Sequence, residues 1–478
     1  MTTTVSVTTA TSTIYRPSTG EAYDAVPVTS LGELDEVFAR ARAGFEAWKK
    51  VSGTEKAKLL FKLADRLEEL VEEFARIEAR NTGKAIRETR AEAIRMPGTV
   101  RYWAGWADKL LGTSIPVGPD FHTYTVREPY GVVAGIVPWN VPYAFATRRV
   151  APVIAMGNVV VLKPAEETPL TALKLAEVCR EVGIPDGVVQ VVTGAGDVGA
   201  AMVSHPQTDL VLFTGFHETG KIIARAAADN LTPTIQELGG KSPNIVFEDA
   251  DIEEALDAAM VSVFSSTGQM CFAGSRLLVQ ESIHDDFVAR LADRVKALKV
   301  GDPEEEDTKV GPHVTARQRD KTLQMIQAGI DEGAVVAAQS ELPGGELAGG
   351  FFAPPTIFTN VTPDMTIVQE EIFGPVMSVF KFKDEAEALQ IANDTKFGLA
   401  AGVWTSDLSR AHRMAQGIHA GRIWVNTYRV INDMVPGGGY GQSGYGAEGG
   451  TETLNALTRS KSVQIALNPG LIPGQPRI

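Results

Sequence analysis

The sequence predicts an α/β fold, with mostly parallel sheets covered by helices on both faces and two domains or more. From about residue 130 onward, apolar runs rich in β-branched residues alternate with segments of helical periodicity, the pattern of buried parallel strands joined by helices. The 478 residues exceed the size at which single cores usually stop growing. The composition, 44% hydrophobic and 22% charged, is typical of a globular protein and excludes a disordered or fibrous chain.

The first part of the chain is expected to be helical. A polar tail precedes about Ser30, and from there to about Leu111 apolar residues repeat at helical spacing. The segment Asn81–Gly83 supplies a helix stop. At about 113–131, alternating side chains and turn residues predict a short hairpin or arm that interrupts the helices before the first strand of the α/β part.

Four strands with their exit loops are expected next: YGVVAGIVPWN, NVVVLKPAEETP, VVQVVTGAG and LVLFTGFHETG. A second α/β section begins near PNIVFEDADIEEALDAA and continues to about residue 436. The Gly-rich stretch PGGGYGQSGYGAEGG that follows has the composition of a loop. The segment SKSVQIAL then predicts one more strand before a C-terminal tail.

Charge and cysteine content exclude several classes of partner. A formal net charge of -14 without a basic stripe argues against nucleic-acid binding. The longest apolar tract, residues 150–162, is too short to span a bilayer, so no membrane insertion is expected. The N-terminus lacks the features of a targeting signal. Two cysteines allow neither a disulfide framework nor a cysteine zinc cluster, so we expect a cytoplasmic protein without a metal.

Two Gly-rich motifs could bind phosphate. The motif GAGDVG at 194–199 fits G-x-G-x-x-G between a strand and a helix, where a helix N-terminus can hold a pyrophosphate; an ordinary turn fits it equally well. The motif GFHETGK at 215–221 nearly fits a P-loop, but Ile222 stands where Ser or Thr must reach magnesium. Phosphoryl transfer is therefore disfavoured, and backbone binding of phosphate is the remaining interpretation.

Three residues are candidates for the chemistry of a covalent catalytic site, and each also has a purely structural interpretation: Cys271, Asn140 and Glu237. Cys271 lies among glycines in GQMCFAGSR, where backbone can approach a ligand, but a free cysteine is often a small buried hydrophobe. Cys179 lies in a helical segment and is expected to be structural. Asn140 ends a strand, where its amide suits an oxyanion or simply forms a turn. Glu237 precedes two glycines and is either a base or a surface carboxylate.

Seven blocks, in order over nearly the whole chain, resemble the aldehyde dehydrogenase superfamily, of the hydrolytic, non-acylating type: GIVPWN, KPAEETP, FTGFHETG, ELGGKSPNIVF, GQMCFAGSR, EEIFGPV and FGLAAGVW. The resemblance implies a Rossmann-like cofactor domain, an α/β catalytic domain and a small β oligomerisation arm in a homodimer or homotetramer. The implied limits are 1–112 and 130–239 for the NAD-binding domain, 240–436 for the catalytic domain, and 113–129 with 455–478 for the arm and C-terminal strand.

The resemblance also implies a mechanism for oxidising an aldehyde to a carboxylic acid. Cys271 is the thiolate that attacks the aldehyde carbon, and the resulting oxyanion faces Asn140 and the Cys271 backbone N–H. Hydride then passes to the nicotinamide, and water activated by Glu237 hydrolyses the thioester. Lys163 is the fourth residue that the resemblance places in the catalytic set.

The cofactor implied by the resemblance is NAD. Lys163 and Glu166 match positions beside the adenosine ribose, and a carboxylate there suits free hydroxyls and opposes a 2'-phosphate, which favours NAD over NADP. The other positions expected to contact the cofactor are Ile136, Pro138, Trp139, Gly196, Gly215, Gly220, Leu238, Glu371 and Phe373.

Four positions depart from the family pattern. Phe216 replaces a small residue after the Gly of FTG, which puts one pyrophosphate contact in doubt. Gly437, Gly441 and Ala447 replace the family's Phe, Lys and Arg. A glycine at 437 in place of an aromatic ring is expected to widen the substrate tunnel.

The substrate is expected to be a small-molecule aldehyde. The block alignment places Arg148 and Arg429 toward the tunnel, where one or both would bind the anionic or strongly polar group of a semialdehyde or another polar aldehyde. A salt bridge at the domain interface is the equal alternative. The other expected substrate contacts are Val141, Phe145, Met270, Phe272 and Ile431. Two rival functions are a coenzyme A-acylating dehydrogenase, which would not need Glu237 as a base, and a catalytically silent structural relative.

Overall fold

The structure is a computed structural model and describes residues 10–467. The end of the expected C-terminal arm, residues 468–478, lies outside the described residues. The strands are β1 (Thr11–Arg16), β2 (Glu21–Pro27), β3 (Ser114–Ile115), β4 (Phe121–Pro129), β5 (Val132–Val137), β6 (Val159–Pro164), β7 (Val189–Val191), β8 (Leu210–Thr214), β9 (Thr234–Glu237), β10 (Pro243–Val246), β11 (Arg276–Gln280), β12 (Val335–Gln339), β13 (Thr356–Thr359), β14 (Val376–Phe382), β15 (Phe397–Gly398), β16 (Ala401–Trp404), β17 (Ile423–Val425), β18 (Tyr440–Gly441), β19 (Gly444–Tyr445) and β20 (Thr458–Ala466).

The helices lie between these strands and before them. They are α1 (Leu31–Trp48), α2 (Gly53–Glu69), α3 (Val71–Thr82), α4 (Ile86–Ala104), α5 (Pro142–Ala155), α6 (Leu170–Glu181), α7 (Gly196–Ser204), α8 (His217–Ala228), α9 (Ile252–Phe264), α10 (Glu281–Lys296), α11 (Ala316–Asp331), α12 (Thr366–Gln369), α13 (Glu385–Asn393), α14 (Leu408–Gly417) and α15 (Gly450–Leu457). Short 3-10 turns cover Ser265–Gly268 and Gly345–Leu347. Within residues 10–467, no helix is both long and apolar enough to cross a membrane.

The N-terminal part departs from the expectation of a polar tail. β1 and β2 form an antiparallel hairpin, and Ile14 is fully buried against the rest of the chain. Thr11, Thr13 and Tyr15 are exposed, whereas the alternate residues of β1 are partly or fully buried, so the strand has a polar composition although one face packs inward. The helical segment after Ser52 is also divided in two at Leu70, and the predicted stop is confirmed at Gly83, whose φ of +81 ends α3.

The first sheet has the strand order β19-β9-β8-β5-β6-β7. β5 pairs in parallel with both β6 and β8, and β7 and β9 extend the sheet in parallel on either side. The chain therefore leaves β5 toward one side of the sheet and returns to its other side at β8. Such a reversal opens a crevice outside the carboxyl ends of β5 and β8, where open α/β sheets bind ligands.

The second sheet has the order β12-β13-β14-β11-β10-β16-β17. Its central strands run parallel, and only β12 is antiparallel, at the edge. Fully buried valine, leucine and isoleucine residues fill β10 and β11, as a sheet covered on both faces requires. The α/β fold expected from the sequence is thereby confirmed, while the exact domain limits stay a prediction.

A third, three-stranded sheet has the order β20-β4-β3. Antiparallel pairing of β4 with β20 runs from Thr458↔Pro129 to Ala466↔Phe121, so the arm near 113–129 and the C-terminal strand belong to one sheet. The strand begins later than the expected residue 455, because α15 continues through Leu457. The Gly-rich segment before it is also not simply a loop, since it contains β18 and β19 and the start of α15.

Candidate active site

Cys271 lies in a loop held in an unusual backbone conformation. After α9 the chain turns through Ser266, Thr267 and Gly268, whose φ angles are +53, +56 and +69. Glu88 of α4 holds this turn, because its Oε2 accepts hydrogen bonds from the backbone N–H of Ser266 at 2.6 Å and from the Ser266 hydroxyl at 3.0 Å. Non-glycine residues with positive φ are strained and persist only where their surroundings enforce them. The strained turn therefore costs free energy, and the contacts with Glu88 hold the loop that carries the cysteine in one conformation.

Asn140 reaches this loop from the first sheet. It lies just beyond β5 and is 3% exposed. Its Nδ2 donates to the carbonyl oxygen of Gln269 at 2.7 Å and lies 3.8 Å from the sulfur of Met270. In the described part of the chain its Oδ1 is buried without a hydrogen-bond partner. The amide nitrogen is therefore fixed within two residues of Cys271, as an oxyanion donor must be.

Glu237, at the end of β9, approaches the same loop. A Cβ built on Gly240 would lie 2.7 Å from the carbonyl oxygen of Cys271, so only glycine lets the segment after β9 pack against the cysteine. Burial, and next the charge of Glu448, raise the pKa of Glu237 well above its usual range, although Arg149 and Arg422 oppose the shift. Within residues 10–467, Glu237 Oε1 is buried without a hydrogen-bond partner, which leaves it free to bind water.

The thiol of Cys271 is protonated in this arrangement. Its side chain is only partly accessible, and burial raises its pKa to about 12, with further contributions from the carboxylates of Glu371 and Glu237. A thiol must lose its proton to act as a nucleophile. A carboxylate with a raised pKa close by, such as Glu237, is a suitable acceptor for that proton.

Glu371 and Phe373, in the segment between α12 and β14, meet residues that follow strands of the first sheet. The backbone N–H of Gly240 donates to Glu371 Oε1 at 3.0 Å, and burial raises the pKa of this carboxyl to about 7. Phe373, which has a positive φ of +59, packs edge-on against Trp139 with 5.2 Å between ring centroids. Four residues expected to contact the cofactor, Trp139, Leu238, Glu371 and Phe373, thus come from separate parts of the sequence and lie close together, because Leu238 immediately precedes the glycine pair that contacts Glu371.

The crevice at the switch point has the features that a dinucleotide requires. Ile136, Pro138 and Trp139 follow or end β5, and Lys163 is at the end of β6. The N-cap residues of α7 and α8, Ala195 and Phe216, provide no side-chain cap, so the first N–H groups of both helices remain available for phosphate. The residues present therefore fit a pyrophosphate.

Lys163 and Glu166 lie beside each other on the far side of this crevice. The Lys163 Nζ is 3.7 Å from Glu166 Oε2 and donates to the Pro164 carbonyl at 3.2 Å; burial lowers the pKa of this lysine. A Cβ on Gly199 would lie 3.5 Å from Lys163 Cδ, so the lysine stem packs on the first turn of α7. An amine and a carboxylate presented together in this way can bind the hydroxyls of a ribose.

The glycines expected near the cofactor have different structural reasons. Gly220 lets α8 pack on β9, since its Cβ would lie 2.6 Å from Gln236 Oε1 and 2.8 Å from Leu238 Cδ2. A Cβ on Gly215 would collide with the ring of Phe213, whereas Gly196 faces open space. Open space at Gly196 is compatible with a ligand against the start of α7.

Two of the departures from the family pattern have visible consequences near these glycines. Phe216 is 44% exposed, and its ring lies 5.6 Å from Lys321 Nζ. The aromatic side chain therefore lies at the protein surface, at the N-cap of α8. Gly441 has a φ of +56 and pairs with Phe397. A lysine at 441 would be strained in that backbone conformation, so the glycine fits the short β15–β18 ladder.

The residues expected to contact the substrate differ in burial and packing. Met270 is 8% exposed and Val141 is 6% exposed, so both form apolar wall, and Phe145 is partly buried beside them. The Phe272 ring packs against Trp424 with 5.8 Å between centroids, and Ile431 packs against the same small cluster.

The two expected arginines have partners within the protein. Arg148 forms an ion pair with Asp433 at 3.1 Å, which is the salt-bridge alternative left open by the sequence. Arg429 donates to the Val261 carbonyl at 3.0 Å and lies over Phe272, 5.8 Å from its ring centroid. Both guanidinium groups are therefore already bound by other groups of the protein.

Three charged residues near Glu237 were missed by the sequence reasoning. Arg149 is 2% exposed on α5 and forms an ion pair with Glu448, and its guanidinium also contacts the Thr214 hydroxyl. An arginine within the apolar helix face PYAFATRRVAPVIA was the available signal, because a buried arginine needs a carboxylate partner. Glu448 follows Ala447 in the Gly-rich segment, and Arg422 precedes β17; neither had a local signal. Among residues 10–467, no cluster of three or more His, Cys, Asp or Glu side chains could hold a metal ion.

A crevice at a sheet switch point that opens onto a strained cysteine loop defines an oxidoreductase of the dinucleotide-dependent class. The sequence profile of the aldehyde dehydrogenase family matches residues 5–463, and the chain belongs to that family. The family membership expected from the seven sequence blocks is confirmed.

Similar proteins agree with this assignment. The chain is 44% identical to an aldehyde dehydrogenase of Emericella nidulans over 96% of this chain and 92% of the relative. It is 43% identical to (Z)-2-((N-methylformamido)methylene)-5-hydroxybutyrolactone dehydrogenase of Acinetobacter baylyi, over 95% of this chain and 93% of that protein.

Solved structures of similar proteins contain the dinucleotide. PnpE in complex with nicotinamide adenine dinucleotide has a TM-score of 0.95 and 41% identity, covering 97% of this chain and 96% of PnpE. Betaine aldehyde dehydrogenase from Staphylococcus aureus in complex with NAD+ has a TM-score of 0.95 and 39% identity, covering 98% of this chain and 94% of that chain. The fold of this chain is therefore the aldehyde dehydrogenase fold.

Proposed function

We propose that this aldehyde dehydrogenase oxidises its substrate to a carboxylic acid through a covalent thioester on Cys271. The observation that carries the proposal is the convergence of the Asn140 amide and the Glu237 segment on the cysteine loop from the first sheet. Acyl chemistry requires a nucleophile, an oxyanion donor and a base close together, and these three groups meet at the loop that carries Cys271.

The first step forms a bond between Cys271 Sγ and the aldehyde carbon. The thiol proton passes to the nearby Glu237 carboxylate, because a thiol with a pKa of about 12 is not ionised at neutral pH. The carbonyl oxygen becomes an oxyanion, which the Asn140 Nδ2–H and the Cys271 backbone N–H stabilise. One preorganised donor of this kind contributes about 10²–10³ in kcat.

Bound NAD supplies the oxidant, a nicotinamide ring that takes up the hydride lost by the aldehyde carbon. Trp139, Glu371 and Phe373 would hold that end of the dinucleotide, and the N-termini of α7 and α8 would hold its pyrophosphate. On the protein side, collapse of the oxyanion to a carbonyl leaves the substrate as a thioester on Sγ.

The last step consumes water. Glu237 first releases the thiol proton to solvent and then takes a proton from the water molecule, whose oxygen attacks the thioester carbon. The carbon–sulfur bond breaks, Glu237 returns its proton to the leaving sulfur, and the carboxylic acid and the Cys271 thiol are released. A raised pKa makes Glu237 a stronger base than an ordinary carboxylate. A base in this position supports hydrolysis over acyl transfer to coenzyme A, and the filled catalytic set disfavours a silent structural relative.

We propose NAD as the preferred cofactor. Glu166 is 41% exposed beside Lys163 at the crevice, where a carboxylate would repel the 2'-phosphate of NADP. The NAD complexes of PnpE and of the S. aureus betaine aldehyde dehydrogenase are consistent with this preference. Comparison of KM for NAD and NADP tests it, and a lower KM for NADP would contradict it.

The assembly and the compartment are also proposals. Most of β20 is exposed in the β3–β4–β20 sheet, so we propose that this sheet joins protomers in a homodimer or homotetramer. We also propose the domain limits that were expected from the sequence. Two free cysteines are compatible with the cytoplasm. Light scattering on the purified protein gives its mass in solution, and a monomer would contradict the proposed assembly.

Replacement of the two cysteines tests the mechanism. Cys271→Ala is expected to abolish NADH formation, while Cys179→Ala, whose thiol is 1% exposed in α6, is expected to keep it. Product analysis with and without coenzyme A accompanies the assay, and free acid is expected in both. Full NADH formation by Cys271→Ala would overturn the covalent mechanism, and an acyl-coenzyme A product would favour the acylating alternative.

A further inference from the structure

Arg422 occupies the space that Gly437 leaves open. A Cβ built on Gly437 would lie 2.8 Å from Cζ and 2.9 Å from Nε of Arg422 and would collide with its Nη2. The expectation that a glycine at 437 widens the tunnel is therefore wrong in one respect, because a guanidinium fills the place of the missing ring. A larger residue at 437 would exclude Arg422 from this position.

The backbone around Arg422 is firmly anchored. The Arg422 carbonyl accepts a hydrogen bond of 2.9 Å from the backbone N–H of Ala401 in β16, and the next residue begins β17. Gly421 packs so closely on Gly438 that its Cβ would lie 2.9 Å from the Gly438 carbonyl carbon. A side chain on rigid elements of this kind holds its position better than one on a loop.

Arg422 differs from its neighbours in having no partner. Arg148 pairs with Asp433 at 3.1 Å, and Arg149 pairs with Glu448. Among the described residues, no hydrogen bond or ion pair is formed by the Arg422 side chain, although Glu237 and Cys271 are close enough to act on it electrostatically. A partly buried guanidinium with five donors and no acceptor is poised to receive an anion.

We propose that Arg422 determines substrate specificity by binding a carboxylate carried by the aldehyde, so that the substrate class is a semialdehyde. The inference rests on the proposed oxidation at Cys271, and it replaces Arg148 and Arg429 with Arg422 as the principal anion ligand. A guanidinium pairs a carboxylate bidentately and fixes its orientation as well as its charge. Binding at Arg422 would place the aldehyde end of the same molecule toward the Cys271 loop.

The charges around the site favour an anion over a cation. Arg148, Arg149 and Arg422 gather near Glu237, and two of the three are already neutralised by carboxylates. A quaternary ammonium aldehyde would meet the unpaired Arg422. We therefore expect this chain to disfavour betaine aldehyde, although the S. aureus betaine aldehyde dehydrogenase is similar in fold.

The alternative role for Arg422 is to adjust the acidity of Glu237. The two side chains do not form an ion pair within the described residues, but the arginine charge lowers the pKa of Glu237 from a distance. Such a role would change the rate with every aldehyde and would shift the pH profile. A carboxylate-binding role would change the KM of anionic aldehydes alone, so the two are separable.

The experiment compares matched aldehydes on the full-length protein. Succinic semialdehyde and its longer homologues are paired with unbranched aldehydes of equal carbon number, and Arg422→Gln is compared with wild type and with Arg413→Gln. Arg413 is an exposed arginine paired with Glu385 and serves as the control. Arg422→Gln is expected to raise KM for the best semialdehyde about tenfold or more, with KM for the neutral aldehyde unchanged. Loss of the arginine charge raises the pKa of Glu237 and therefore shifts the pH profile upward with both aldehydes alike.

Arg422→Lys and a binding measurement keep the test independent of folding and of turnover. Lysine keeps the positive charge but lacks the paired N–H donors that bind a carboxylate bidentately. We therefore expect Arg422→Lys to have a KM for the semialdehyde between those of wild type and Arg422→Gln. Titration calorimetry with succinate, the product of succinic semialdehyde oxidation, or with the homologous dicarboxylate, is expected to show about tenfold weaker binding to Arg422→Gln.

The outcomes separate the two levels of inference. Equal loss on both aldehydes, or unchanged kinetics in Arg422→Gln, would each overturn the role of Arg422. Oxidation of the neutral aldehyde without preference for any semialdehyde would overturn only this inference. Oxidation of neither aldehyde by wild type would instead count against the proposed function.

Discussion

The side-chain amide of Asn140 donates a hydrogen bond of 2.7 Å to the main-chain oxygen of Gln269. Asn140 follows β5 of the first sheet, and Gln269 precedes Cys271 in the loop after α9. The bond therefore ties the cysteine loop to the switch point of the first sheet. One amide proton is used for this tie, and the other is directed at the sulfur of Met270 at 3.8 Å, a weak acceptor that an oxyanion can replace.

Asn140→Ala is expected to lower kcat by about 10²–10³, because it removes both the oxyanion donor and the tie to Gln269. The variant should still bind the dinucleotide, since the other crevice residues are unchanged. Initial rates of NADH formation and a fluorescence titration with NAD measure the two effects. Asn230→Ala, an exposed asparagine that donates to the Ser204 carbonyl at 3.0 Å, is the control. A less than threefold loss in Asn140→Ala would show that the amide has no catalytic part.

Glu237 gives the reaction a specific pH dependence. Burial raises the pKa of Glu237 well above the usual value of 4.5, and only the ionised form can take a proton. Turnover is therefore expected to rise with pH through this raised pKa. In Glu237→Gln the rise should disappear and turnover should fall by about 10²–10⁴, the usual contribution of a general base. Steady-state rates across the pH range measure both changes.

The sign for stability is opposite to the sign for activity. A raised folded-state pKa means that the native state favours the protonated carboxyl, so its contribution to stability is fully present below pH 4.5 and is lost as pH rises through the folded pKa. Glu237→Gln should therefore lose less stability than wild type over that pH window, as measured by denaturant unfolding. An unchanged pH profile of turnover in this variant would exclude Glu237 as the base.

The sequence predicted the fold well where periodicity was strong. The runs that became β5, β6 and β8 are apolar and β-branched, and their burial on both faces makes the pattern nearly independent of distant residues. The β1–β2 hairpin was missed because its stability depends on packing Ile14 against distant parts of the chain, while its own composition is polar. Short elements such as β18 and β19 were missed for a similar reason, since each needs a partner strand far along the chain.

The site was predictable where one motif carries one residue. Cys271, Asn140 and Glu237 each lie in a recognisable block, although their convergence is a tertiary fact that no block contains. The position of the Arg422 side chain was not predictable, because it depends on the absence of a side chain at Gly437. A glycine was read as empty space, and only the folded chain reveals which side chain enters that space.

Two glycines provide a matched test of the strained turn before Cys271. Gly268 and Gly333 both have positive φ, +69 and +96, but a Cβ on Gly268 would lie 2.6 Å from the Pro375 nitrogen, while Gly333 has no atom within 4 Å of such a Cβ. Gly333→Ala should cost about 1 kcal/mol through backbone strain alone, with activity unchanged. Gly268→Ala adds a collision with the segment that leads into β14, so the cysteine loop must move.

Movement of the loop should be visible in catalysis before it is visible in stability. A displacement of about 1 Å at a reacting group can cost 10² in rate, so kcat of Gly268→Ala should fall by about that factor while the protein remains folded. Thermal unfolding of both variants and initial NADH rates are measured together, with labelling of Cys271 by a thiol reagent as a local probe. If Gly268→Ala and Gly333→Ala lose activity equally, or neither loses any, the close contact between Gly268 and the chain before β14 does not set the position of the cysteine.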